Sequence, residues 1–461
     1  MMDTAAAAEA VSGQVRGRNA WFTGVTTDSR ALRPGDLFVA IKGERFDGHD
    51  YVGQAFHRGA VAAMVASDRA DALSGSLIVV SDTVRALGVL AAFWRGIFTA
   101  PVVAIVGSNG KTTVKEMVAA ILRAEFGEDH VLATPGNLNN AIGLPLTLLR
   151  LAAAHRVAAI EIGMNHVGET AELAAIAAPT IGLINNAQRE HQEFMHSVAD
   201  VAAEHAALLS ALPHRGVAVI NADDDYASFW REVIARRNSE GAMLAVRDFA
   251  LRAPAALSAR YRAESWGAAI EVAAPEGTVT VELKAPGRHN VANALGAIAA
   301  ATAAGASLAA AAEGLAAFRP LAGRLRTRTL SGGATVIDDT YNANPDSVRA
   351  AIAVLSREPS PRWLVLGDMG EVGEQGVEFH REVGGYARAA GIDRLFGTGV
   401  LTEHAVSAFG PGGQHFARIE KLIDALRASL ASGVTVLVKG SRFMRMERVV
   451  SQLNGAPAEV H

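Results

Sequence analysis

The chain has no cysteine, which excludes disulfides, thiolate nucleophiles and cysteine-based zinc sites and is compatible with a reducing cytosol. An excess of one charge is also missing. The 43 Lys and Arg residues against 47 Asp and Glu leave a net charge of −4, so there is no basic footprint for a nucleic-acid partner. No secretory signal is read in Met1 to Arg18, which is alanine-rich without a basic end followed by an apolar core. The longest nearly uncharged stretch, Gly296 to Phe318, is mostly alanine, carries Gly305 and Glu313, and has Ser307 placed as a helix cap. Two packed helices are expected there and no membrane span. A soluble, cytoplasmic protein is the expectation.

What is present is length and apolar content. At 461 residues, half of them hydrophobic, the chain has room for about three domains with large cores.

The most informative stretch is Pro-Val-Val-Ala-Ile-Val-Gly-Ser-Asn-Gly-Lys-Thr-Thr at 101–113. Val102 to Val106 reads as a buried strand, and Val114, Met117, Val118, Ile121 and Leu122 repeat at helical spacing. Strand, glycine loop, Gly-Lys-Thr and helix form a phosphate-binding arrangement: Gly107, Ser108, Asn109 and Gly110 let the anion approach the N–H groups at the helix start. Lys111 would reach the β/γ-phosphates, and a hydroxyl of Thr112 or Thr113 would reach Mg²⁺. The spacing departs from the common pattern, because Ile105 stands where its first glycine would be. An ordinary strand–turn–helix with an exposed lysine is the alternative.

Around this stretch the pattern divides in three. Residues 1–98 read as a small α/β domain, with strands near 37–41, 61–66 and 77–80 and a helix from Thr83. Its Thr27-Asp28-Ser29-Arg30 loop is an anion or base-edge contact or simply a solvated turn. Residues 99–321 alternate strands and helices, the pattern of a parallel sheet covered on both faces, with a small antiparallel insert between Ala242 and Leu283. Residues 322–461 form a third, Rossmann-like α/β unit. Ligands of such sheets bind beyond the carboxyl ends of strands. That rule singles out Glu161, then Asn185 and Asn186 with His191 behind, then Asp338 to Asn342, Asp368, and Lys439 to Arg442.

These pieces together resemble the Mur ligases, ATP-dependent amide-forming enzymes of bacterial cell-wall precursor synthesis. The resemblance covers essentially the whole chain and rests on 107–113, Thr134-Pro-Gly-Asn-Leu-Asn-Asn-Ala-Ile-Gly-Leu-Pro145, Glu161-Ile-Gly-Met-Asn165, His289-Asn-Val-Ala-Asn293, Asp338-Asp-Thr-Tyr-Asn-Ala-Asn-Pro345 and Lys439-Gly-Ser-Arg442. The stretches 136–140 and 341–345 point to the branch that adds D-alanyl-D-alanine to UDP-N-acetylmuramoyl-tripeptide through an acyl phosphate. Another Mur-type ligase or a folylpolyglutamate synthase is the alternative, and a nucleotide-binding regulator without ligase activity is a third reading.

The resemblance implies ATP and Mg²⁺ as cofactors, a monomer, and roles for particular residues. Lys111 would bear phosphate, and Glu161 and His191 would hold a second Mg²⁺. Taken alone, His191 sits in a charge run, Arg189 to Glu193, that reads as solvated. Asn290 and Asn293, three apart on one helix face, would lie by the adenine, with helix-to-helix hydrogen bonds as the alternative. Arg324 and Asp339 would reach the nucleotide from the third domain, while Arg288 and Arg326 are alternative basic groups. Thr134, Asn137 and Asn140 would line the muramyl-peptide site. Ser29, Arg30, Asp47 and His49 would meet the uridine diphosphate end. Tyr341, Asn344 and Asp346 would contact the dipeptide, Asp346 being otherwise a helix N-cap after Pro345. Many members carry a carbamylated lysine after the His motif. Residues 198–209 have no lysine, and His205 aligns there beside Glu204. Because the ATP groups lie on both sides of residue 322, an open and a closed form are expected, swinging about Phe318 to Arg324.

Overall fold

The computed structural model describes residues 1–453. Its strands gather into three main sheets in chain order. In the first, Leu77–Val80, Ala62–Ala66, Asp36–Val39 and Gly24–Thr26 run parallel, and Gln14–Arg16 is added antiparallel at one edge.

The second sheet has nine strands. Val102–Val106 lies third from one edge, with Val157–Glu161 and then Val131–Ala133 on one side and Ile181–Ile184, Val217–Asn221 and Ala245–Ala250 on the other, all parallel. The sheet continues through Leu257–Glu264, Gly267–Ala274 and Gly277–Leu283, the last three antiparallel to one another. The antiparallel insert expected from sequence is therefore an extension of the central sheet, joined to it by the pairing of Phe249 with Leu257.

The third sheet orders Arg326–Thr329, Thr335–Asp339, Thr435–Lys439, Arg362–Gly367, Arg394–Thr398 and Gly413–Phe416, parallel except for the first.

Side-chain alternation sorts the central core into two layers. Val103 and Ile105 face the phosphate-loop helix Lys111–Phe126 and the alanine-rich helix Arg288–Ala303. Val102, Ala104 and Val106 face the opposite layer, which also contains Leu87 and Leu90. Those leucines belong to the helix Thr83–Gly96, which sequence assigned to a separate first domain. The helix is shared: Trp94 Nε1 donates to Leu151 O at 3.0 Å, and Arg95 donates to Ala177 O and Ala178 O at 3.2 Å. The two sheets thus have one continuous core between them. The Ser307 cap is present, its hydroxyl accepting from Ala310 N, and at Gly314 the helix Leu308–Ala317 comes too close to Ala120 for any side chain. The last described helix begins at Glu447, after a short 3₁₀ turn at Arg442–Met444.

Candidate active site

Gly107 and Gly110 have φ of 147° and 84°, conformations open to glycine and strained for other residues. A Cβ on Gly110 would also lie 2.9 Å from the Asn293 amide. The helix that follows has no side-chain cap, so its first N–H groups are free to face an anion. Register does the rest: Glu161 pairs with Ile105 and Ile184 with Val106, so the strand ends that carry chemistry surround the loop.

Lys111 does not extend into solvent. Its Nζ donates to Gly107 O at 2.5 Å and to Glu190 Oε2 at 3.1 Å. Glu190 lies in the run that reads as solvated, yet it is 6% exposed. Burial raises the pKa of its carboxyl, but the Lys111 ammonium, then His205 and His191, outweigh this and bring it down to about 2. His205 Nε2 stands 3.3 Å from Glu190 Oε1, and the ring is 1% exposed. Glu204 points elsewhere, accepting from Gly168 N and Thr170 N at 2.8 and 2.7 Å. Of the two residues considered at the family's lysine position, His205 faces the site and Glu204 caps a neighbouring helix.

Glu161 is 2% exposed. Its Oε1 accepts from Asn139 Nδ2 at 2.7 Å, while Oε2 is buried with no hydrogen-bond partner. Asn139 was missed in the sequence, which singled out Asn137 and Asn140 instead. Asn137 is exposed, and Asn140 Oδ1 accepts from Gly143 N at 2.9 Å. Thr134 is set behind the site: its hydroxyl accepts from Glu161 N at 2.9 Å, and its carbonyl accepts from the buried Lys115 at 2.7 Å.

Asn290 and Asn293 line the cavity and bond within their own helix and to the loops beside it, not from helix to helix. Asn185 Nδ2 donates to Asn293 Oδ1 at 2.9 Å, Asn293 Nδ2 to Asn290 Oδ1 at 3.1 Å, and Asn290 Nδ2 to Pro286 O at 2.8 Å. The chain of amides runs along one wall of the cavity. Beside it the half-buried His289 lines the same cavity, and burial pushes its imidazole down to about 4.

The third sheet closes the opposite wall. Arg324 donates to Thr112 Oγ1 at 2.9 Å and stacks on the Tyr341 ring, 4.1 Å from its centre. Asp339 accepts from Lys439 Nζ at 2.6 Å, and Lys439 also donates to Asn342 O, which gives this buried lysine its role. Asn344 and Asp346, expected at the dipeptide, line the cavity and also bond across the seam. Asn344 Nδ2 donates to Asn109 Oδ1 at 3.0 Å, and Asp346 receives Arg189 at 2.6 Å. Asp346 is not the N-cap; Asn344 is, with Pro345 in the first turn. Arg189 also donates to Glu382 at 2.7 Å, which holds that carboxyl below its usual range. His191 Nδ1 lies 2.6 Å from Glu371 Oε2. Arg288 and Arg326 stay outside this cavity, the former 3.9 Å from Asp223. Arg442 lies 3.6 Å from Glu447.

The resulting cavity, about 440 Å³, holds Lys111, Thr112, Thr113, Glu161, His191, Asn290, Asn293, Arg324 and Asp339 together. No residue of the first sheet lines it. Ser29 Oγ donates to Gln54 at 3.1 Å, and Arg30 pairs with Asp28. His49 has no nitrogen to offer a ligand: Nδ1 lies 2.6 Å from Asp47, and Nε2 accepts from Ala66 N at 2.9 Å. Asp47 also pairs with Arg69. Both residues therefore brace the loop that begins the helix Val52–His57.

Among the described residues no group of three acidic or histidine side chains converges as a complete metal cage. Mg²⁺ does not need one, since one or two carboxylates with phosphate oxygens and water suffice. The unpartnered Glu161 Oε2 in the same cavity as the phosphate loop fits that donor set.

Models of three families match the chain: Mur ligase family, catalytic domain, over residues 22–95; Mur ligase middle domain over 105–301; and Mur ligase, glutamate ligase domain, over 323–442. The UDP-N-acetylmuramoyl-tripeptide–D-alanyl-D-alanine ligase of Escherichia coli (strain K12) is 42% identical, the alignment covering 96% of each chain. A crystal structure of MurF from Acinetobacter baumannii superposes with a TM-score of 0.89 at 30% identity, covering 98% of this chain and 99% of that one. MurF ligase from Thermotoga maritima in complex with ADP superposes at 0.79 with 27% identity, covering 94% and 98%. A glycine loop without the usual spacing, carboxylate and lysine at adjoining strand ends, and likeness along nearly the whole length lead to one assignment: the chain belongs to the Mur ligase family.

Proposed function

We propose that the protein joins D-alanyl-D-alanine to the terminal carboxylate of UDP-N-acetylmuramoyl-tripeptide, consuming ATP, in peptidoglycan precursor synthesis. The observation that carries this beyond likeness is the meeting of Lys111 and the unpartnered Glu161 carboxylate oxygen in one cavity at neighbouring strand ends. Phosphoryl transfer asks a site for charge neutralisation and positioning more than for a protein nucleophile.

In this reading Lys111 and the N–H groups of 107–113 hold the ATP phosphates. Glu161, His191 and a hydroxyl of Thr112 or Thr113 hold Mg²⁺, which supplies positive charge to the transferring phosphoryl group. The bond from the γ-phosphorus to ADP breaks as a bond to the tripeptide carboxylate forms. The dipeptide nitrogen then attacks the acyl carbon, the carbon–oxygen bond to phosphate breaks, and the amine's proton passes to solvent. Asn139 fixes the Glu161 carboxylate, and Arg324 and Asp339 bring the third sheet to the nucleotide. The sugar nucleotide extends towards Ser29 and Arg30, and Asn140 and Tyr341 border the peptide. The domain bounds 1–98, 99–321 and 322–461 go with this reading, since the matched family ranges fall inside them. We place the reaction in the cytoplasm, where ATP is available, and take the working unit to be the monomer. No described helix is long and apolar enough to cross a membrane.

The test is product analysis. Protein incubated with ATP, Mg²⁺, the tripeptide nucleotide and D-alanyl-D-alanine is expected to yield ADP, phosphate and the pentapeptide nucleotide. ADP without a pentapeptide product would contradict the reading.

A further inference from the structure

A second groove opens beside the main cavity. Gln192, Glu193 and His196 line it from the central sheet's loop, and residues 368–375, Leu401 and Phe443 line it from the third unit. No lysine or arginine is among its lining residues. The groove and the main cavity share Gly370 and Glu371. Of the other acids on the groove, Glu193 and Glu374 are exposed and do not line the main cavity, and Asp368 is fully engaged by Val400 N, Thr402 N and the Thr402 hydroxyl.

Glu371 is held in an uncommon way. Its φ is 57°, in the left-handed region that disfavours a side chain, and its contact His191 has φ of 48°. Its carbonyl accepts from Glu193 N at 3.2 Å, and its carboxylate lies 2.6 Å from His191 Nδ1 across the seam. Two strained residues meeting from different sheets, each anchored by the other, fix one carboxylate at the junction of groove and cavity. The side chain remains 49% exposed, so a ligand has access to it. The main cavity also holds an independent mark of a reacting centre, the buried and unpartnered Glu161 Oε2.

In the ligase reading, on which this step rests, the amine component carries an ammonium group and must reach an acyl carbon near Glu161 and Lys111. We infer that the amine component enters through the second groove and that Glu371 is the specificity-determining residue that receives its ammonium end. The interaction is an ion pair; the ammonium gives up a proton to solvent before its nitrogen attacks the acyl carbon, and no bond to Glu371 forms or breaks. A carboxylate at the mouth accepts a primary ammonium group and discriminates against amine components whose nitrogen is acylated or flanked by negative charge.

The experiment is steady-state phosphate release with each substrate varied in turn, for wild type, Glu371→Gln and Glu371→Asp, each checked by its melting temperature. For Glu371→Gln the dipeptide KM is expected to rise tenfold or more, with the KM values for ATP and the tripeptide nucleotide within twofold of wild type. Glu371→Asp keeps the charge and is expected to recover most of the loss. A lowered kcat with an unchanged dipeptide KM would reduce Glu371 to a support for His191 and overturn the inference. So would Glu371→Asp being no better than Glu371→Gln; should Glu371→Gln not fold, the same measurement passes to Glu371→Ala, for which an unchanged dipeptide KM would overturn the inference. Wild-type protein without dipeptide-dependent phosphate release would remove the ligase reading and this inference with it. An active wild type with unaltered variants would remove this inference alone.

Discussion

Arg189 Nη2 lies 2.6 Å from Asp346 Oδ1, and through this pair the loop behind the central sheet grips the first helix of the third unit. The same guanidinium reaches Glu382 at 2.7 Å and lies over the Phe379 ring, 5.2 Å from its centre. One side chain from the central sheet therefore holds two elements of the third.

Arg189→Ala is expected to loosen that seam. The Arg324 and Asp339 side of the nucleotide site would then sit out of register with Lys111, and misplacement of about 1 Å costs on the order of 10²-fold in rate. The check is kcat/KM together with small-angle scattering: a drop in rate with a larger radius of gyration. Unchanged values of both would show that the seam is held by other contacts.

Lys111→Ala is expected to abolish turnover and also to destabilise the fold, because Glu190 would be left as a buried carboxylate without its cation. Breaking such a pair costs about 3–5 kcal/mol. The double change Lys111→Ala with Glu190→Gln is expected to recover melting temperature but not activity. Near-normal ATP-dependent ligation by either variant would refute the assignment of the loop.

Glu161→Ala is expected to lower kcat on the order of 10²-fold or more and to raise the Mg²⁺ requirement. Asn139→Ala should produce a milder form of the same change, since it frees the carboxylate without removing it. Mg²⁺ titration of the rate measures both. An unaltered Mg²⁺ dependence would return Glu161 to a structural role.

His289 gives a pH dependence. Its native pKa is about 4, below the roughly 6.5 of an exposed histidine, so between these values the unfolded chain binds the extra proton. The stability associated with the neutral ring is fully present above about pH 6.5 and is lost as pH falls towards 4. His289→Asn is expected to flatten melting temperature against pH over that window. A curve parallel to wild type would contradict this account of the ring.

Much of this was legible in the sequence because parallel strands buried on both faces are written as short apolar runs, as at 102–106 and 181–184. The loop at 107–113 was equally plain, since its glycines stand between a strand and a helix. Glu190 was not legible. Its neighbours are charged, and what buries it comes from Lys111 and from His205 on a separate helix. Asn139 was hidden among near-identical neighbours in Asn-Leu-Asn-Asn. The close approach of Gly163, whose Cβ would lie 2.8 Å from the Asn139 amide, is visible only after folding. His49 misled for the opposite reason: Asp47-Gly-His is a loop signature, but the ring spends both nitrogens on the fold. The helix Ala227–Ser239 escaped notice because Arg231, Glu232, Arg236 and Arg237 dilute its apolar stripe of Trp230, Val233 and Ile234.

The central claim is amide formation with a dipeptide as the amine. Phosphate release measured with ATP, Mg²⁺ and UDP-N-acetylmuramoyl-tripeptide, and with D-alanyl-D-alanine, L-glutamate or no amine added, tests it most directly. The account predicts sustained release with the dipeptide and only background without it or with glutamate. Equal rates in all three mixtures, or release driven by glutamate alone, would contradict it.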